Sequence, residues 1–163
     1  MDVRPVSAAR ILSLTIFGCL FVTSCAHDIY QQRADQIKNH TEAFYGHLKA
    51  SRVEAAIREN EQIEAMASHM GETVKKQAVK QGTTQVEREF ALMKTASETA
   101  GSNWLALGQY FAIKKQYAQA RATYQRVVNT YSNSTDRPIR EQAARALKDL
   151  DMVNPPPAAS ANP

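Results

Sequence analysis

Between Ala26 and Pro138 the chain contains no proline and only five glycines. Proline and glycine are the residues that most strongly oppose helix continuation, so this stretch offers few places where a helix must stop. Apolar residues return along it at spacings of three and four, and alternating β-branched residues are absent. A stripe of that period lies on one face of a helix, whereas a strand needs a period of two. The pattern predicts an all-α domain with no sheet.

The stripes divide into segments. Tyr30, Ala34, Ile37, Thr41, Phe44 and Leu48 form the first, with Thr41 its weakest member. Ser51 and Glu54 match a capping box, which predicts a second helix from about Arg52, carrying Val53, Ala56, Ile57, Ile63, Met66 and Met70. Gly71 reads as its end or weak point, and Gly82, Thr83 and Thr84 break the pattern. Thr84 and Glu87 repeat the capping signature ahead of a third stripe, Val86, Phe90, Met93, Ala96 and Ala100. Gly101 is then expected to end that helix and Ser102 to cap a fourth, running to Ile113, with a fifth from Tyr117 to Thr130. Pro138 suits the first turn of a last helix with Ile139, Ala143, Leu147 and Leu150 on one face. The expectation is a stack of about six helices over residues 25–153, followed by a disordered Pro/Ala-rich tail over 154–163.

Within residues 101–134, Trp104, Leu107, Gly108, Phe111, Ala120, Tyr124 and Val127 combine several residue types at fixed offsets. This set resembles a tetratricopeptide repeat, a pair of antiparallel helices that stacks on its neighbours. Small Gly108 and Ala120 allow close approach, and the larger residues fill the space around them. The segment from Leu48 to Asn60 is a weaker echo, with Ala56 in the place of Ala120. Such repeats bury their apolar faces only by stacking, so the first and last helices are expected to cap the array. The resemblance implies an inner wall from the first helix of the repeat, through Ser102, Leu105, Gln109 and Ala112, as candidate partner-binding residues.

At the N-terminus, Arg4 and Arg10 precede the apolar run Ile11 to Val22. A basic start and an apolar run of about a dozen residues have the layout of a secretory signal, too short to span a bilayer comfortably. Val22, Thr23, Ser24 and Cys25 follow, and this quartet resembles the bacterial lipobox, in which the signal (here 1–24) is cut away and the cysteine is acylated. The resemblance implies lipid on Cys25 as a membrane anchor. Because Ala26 rather than Asp follows, it also implies sorting to the outer membrane, facing the periplasm. An ordinary signal cut near Ala26, or an uncleaved anchor helix, is the alternative. Processing at Cys25 also discards Cys19, which leaves no disulfide.

The net charge of +4 is uneven: residues 101–163 carry eight Lys or Arg against four Asp or Glu. Nucleic-acid binders carry a denser basic stripe with interleaved aromatics, so that class is set aside. The four histidines, His27, His40, His47 and His69, give no metal-ligand spacing, and Met66 with Met70 reads as core. Neither a zinc-protease, a nucleophile-elbow nor a phosphate-loop motif occurs, and Glu54, Glu59, Glu61 and Glu64 read as a solvated acidic face. No catalytic residue, cofactor or metal is expected. The expected function is a membrane-anchored lipoprotein serving as a protein–protein adaptor in an envelope assembly. The alternatives are a homo-oligomeric spacer that pairs through the helix over 30–48 and, third, a lipid-anchored hydrolase.

Overall fold

The computed structural model describes residues 29–77 and 83–155. The signal segment with Cys25, the break at Gly82 and the tail beyond Pro155 lie outside them. Five helices account for nearly all the rest: α1 Ile29–Lys49, α2 Val53–Gln77, α3 Thr83–Ile113, α4 Tyr117–Thr130 and α5 Arg137–Val153, with a 3-10 turn at Ser134–Asp136 before α5. No strand occurs among the described residues.

The helix count is five, not six, because the expected third and fourth helices are one. α3 runs without interruption through Gly101 and Ser102. The reason is packing rather than capping: a Cβ on Gly101 would lie 2.7 Å from Ile139 Cγ2 and 3.2 Å from Tyr131 Cε1. Gly101 therefore marks a close crossing with α5, and its cost in helix propensity, about 1 kcal/mol, is offset by that contact. Gly71 likewise fails to end α2, which continues to Gln77.

Ser51 does not cap α2. Its φ is 56°, a left-handed conformation, and its amide donates to Leu48 O while the Arg52 amide donates to His47 O, both at 2.9 Å. This pair of bonds closes the C-terminus of α1 in a Schellman motif. Lys115 repeats it after α3: its φ is 59°, its amide donates to Ala112 O at 3.0 Å, and the Gln116 amide donates to Phe111 O at 2.8 Å. The α1–α2 and α3–α4 hairpins are thus closed by the same turn, with Ala56 and Ala120 at matching, fully buried positions.

Consecutive helices pack together, α1 also touches α3, and α3 touches α5, so α3 is the central rod. Phe44, Ile63, Leu107 and Val127 are among the largest fully buried side chains, each contributing about 1.5–3 kcal/mol through burial. Trp104, Leu107, Gly108, Phe111, Ala120, Tyr124 and Val127 are all buried. At Gly108 a Cβ would fall 2.7 Å from Tyr124 Cδ1 and 2.9 Å from Cζ, so α3 and α4 meet at a distance only glycine permits.

Two polar devices join the layers. Asn60 and Asn103 are buried and satisfied: Asn103 Nδ2 donates to Asn60 Oδ1 at 2.9 Å, and Asn60 Nδ2 donates to Ala100 O at 3.0 Å. Glu89 is buried on α3 against Arg33 of α1, whereas Phe90, counted in the apolar stripe, is 43% exposed. The buried face of α3 is therefore rotated by one residue there, because the cross-helix ion pair takes the inward position.

Candidate binding groove

α4 is a 14-residue helix, while α2 and α3 have 25 and 31 residues. The backbone leaves helical geometry at Tyr131 (φ −89°, ψ 68°), so α4 stops and the outer part of the α2–α3 hairpin projects beyond it. Between that hairpin and the α4–α5 connection lies a groove of about 820 Å³. Ala67, Gly71 and Val74 from α2 and Phe90, Met93 and Ala100 from α3 supply its apolar surface, and Tyr131 and Asp136 close its inner end.

Glu64 organises that end. Trp104 Nε1 and the Tyr131 hydroxyl each donate to Glu64 Oε1 at 2.8 Å, and Arg126 Nη2 donates to Oε2 at 2.8 Å. The Arg126 guanidinium also lies over the Trp104 ring, 4.1 Å from its centroid, a cation–π placement. Four side chains from α2, α3, α4 and the residue after α4 are locked to one another. Burial raises the Tyr131 hydroxyl well above the ordinary tyrosine pKa; the neighbouring Glu64 charge and hydrogen bond raise it further, against a lowering contribution from Arg126. The phenol is held as a neutral donor.

Asp136, 4% exposed, is another carboxylate at the groove, beside Glu64 and Glu72. Its Oδ1 accepts from Ser97 Oγ and its Oδ2 from Asn133 Nδ2, both at 3.2 Å. It occupies the N-cap position of α5 yet makes no side-chain bond to the first-turn amides. Groove and network together offer apolar surface for side chains, hydroxyl and amide groups for a backbone, and a carboxylate at the inner end. A groove of this size has room for a short extended segment.

A second, shallower concavity of about 440 Å³ lies on α4 and α5, with Val128, Leu147 and Met152 on its surface. The four candidate wall residues line neither. Ser102 and Gln109 are exposed on α3, Ala112 is half-buried, and Leu105 is 8% exposed and belongs to the core. His40 and His47 meet Glu59 instead of solvent alone: His40 Nδ1 is 2.7 Å from Glu59 Oε2 and His47 Nε2 is 3.8 Å from Oε1. Among the described residues no group of three or more His, Cys, Asp or Glu is arranged to hold a metal ion.

The groove residues were not singled out from the sequence. In the sequence Glu64 reads as part of an acidic face and Phe90 as part of the core stripe, and neither Tyr131 nor Asp136 belongs to a motif. One signal lies there: acidic Glu64 shares a side of α2 with Ala67 and Gly71. Comparison with protein-family models, curated proteins and solved structures finds no match.

Proposed function

We propose that this chain is a lipid-anchored adaptor of the bacterial envelope, tethered to the outer membrane through acylated Cys25, whose helical stack holds a segment of a protein partner. The observation that carries the adaptor reading is the open groove of about 820 Å³ with half-exposed Phe90 and half-buried Met93 on its wall. Apolar side chains left uncovered in a concave site mark interaction surfaces. The tetratricopeptide-like reading is supported by two hairpins closed by the same turn and by the glycine-limited contact at Gly108. No helix among the described residues is long and apolar enough to cross a membrane.

Two measurements test this reading. Cys25→Ala is expected to block lipid labelling and release the chain from the membrane fraction; unchanged labelling and association would remove the anchor. A photocrosslinking amino acid at Phe90 is expected to capture a defined envelope protein in cells, with less capture from Gln109 on the α3 face. Absence of any adduct at both positions would sink the adaptor. A homo-oligomeric spacer is the second reading, and exposed Ile29 and Tyr45 on α1 favour it. Ile37, Phe44 and Leu48 of the same helix are already buried within the chain, which weighs towards the adaptor. Sedimentation over a wide concentration range separates the two, since the spacer requires self-association.

A further inference from the structure

We infer that the groove selects a partner segment carrying a lysine or arginine, whose charged end pairs with Asp136 while a neighbouring apolar side chain rests on Phe90 and Met93. This inference rests on the adaptor reading above and specifies what the groove accepts. It starts from the charges around the groove. Glu64 is paired with Arg126 at 2.8 Å, Lys75 lies 3.6 Å from Glu72, and Lys94 lies 3.7 Å from Glu98. Asp136 alone lines the groove without an opposite charge: among the described residues it forms no ion pair.

Its side chain is held only by residues of the groove itself. An Asp at a helix N-cap ordinarily accepts from the first-turn amides. Here both oxygens turn to Ser97 and Asn133, residues that also line the groove. An ionised carboxylate has about four acceptor positions, and two neutral donors at 3.2 Å fill half of them at the long end of hydrogen-bond range. A buried carboxylate in that state is stabilised most by a cationic donor. The adjacent Tyr131 hydroxyl, a neutral donor, is committed to Glu64. Charge complementarity thus favours a basic side chain over an acidic or neutral one, although the chain as a whole carries +4.

The test uses the full chain in detergent and four fluorescein-labelled peptides, Gly-Ala-Xaa-Leu-Phe-Ala-Gly, with Xaa as Lys, Arg, norleucine or Glu. Fluorescence anisotropy is expected to show the Lys and Arg peptides binding about tenfold or more tightly than the norleucine and Glu peptides, as one charge-assisted contact allows. Added salt should narrow that gap. Asp136→Asn should collapse it, and Phe90→Ala should weaken all binding peptides alike. Comparing peptides on the unaltered protein keeps the test valid even if Asp136→Asn folds poorly. Equal affinity for Lys and norleucine, a gap that survives in folded Asp136→Asn, or no binding by any peptide each overturns the inference. If a partner is still crosslinked through Phe90 in cells, the adaptor reading stands without it; if adducts at both Phe90 and Gln109 are also missing, both fall.

Discussion

Gly108 and Gly46 sit in helices and answer the same substitution oppositely. A methyl group at Gly108 would enter the Tyr124 ring, so Gly108→Ala is expected to destabilise the chain by about 1–3 kcal/mol through overpacking. Nothing lies within 4 Å of a Cβ at Gly46, and Gly46→Ala should stabilise by about 0.5–1 kcal/mol because alanine loses less backbone entropy in a helix. Urea midpoints at constant slope would measure both, and equal effects would refute the close approach of α3 and α4. Tyr131 gives a pH prediction. Its folded-state pKa is raised above the ordinary value near 10, first by burial and then by Glu64, so the folded chain holds the phenol proton more tightly than the unfolded chain. Its contribution is complete below about pH 10 and is lost as pH rises from there towards the folded value. Tyr131→Phe should cost about 1 kcal/mol near neutrality, by removing a donor from Glu64, yet lessen the alkaline loss. Parallel alkaline profiles for the two proteins would refute this.

At the scale of elements, helix periodicity was legible and helix termini were not. The stripe of α1 places Ile37, Phe44 and Leu48 in the core, and that of α2 places Ala56, Ile63 and Met70 there. Pro138 opens α5 as its fixed φ suggests. Gly101 and Ser102 misled because a glycine permits both a helix end and a close crossing, and only Ile139, far along the chain, distinguishes them. The inward turn of Glu89 depended on Arg33 of another helix, which no local pattern reveals. The groove was hidden for the same reason: Glu64 acquires its meaning from Trp104, Arg126 and Tyr131, brought together only by folding. Ser51 and Lys115 supply a test of the shared turn. Both hold left-handed φ, which costs a residue with a Cβ about 1 kcal/mol. Ser51→Gly and Lys115→Gly are each expected to raise stability by about 0.5–1 kcal/mol, read from urea midpoints. A loss at either position would contradict the turn geometry.

For the whole molecule, the position of α1 bears on where the groove works. Arg33, in the second turn of α1, pairs with Glu89, the neighbour of Phe90 on the groove wall. The start of α1 and the outer end of the groove therefore lie at the same end of the bundle. With the anchor proposed at Cys25, only four residues, 25–28, precede Ile29, and their greatest reach is about 14 Å. A lipid at Cys25 would thus hold the groove mouth against the bilayer rather than deep in the periplasm. Its search for a partner would then be two-dimensional, confined to segments that emerge at the membrane surface. Inserting about 30 Gly/Ser residues after Asp28 adds a mean reach of about 30 Å and relaxes that confinement. Peptide affinity in detergent should stay the same while crosslinking through Phe90 in cells declines. Crosslinking that holds steady would mean that the partner meets the groove away from the membrane, and that the short tether sets no limit on whom it can reach.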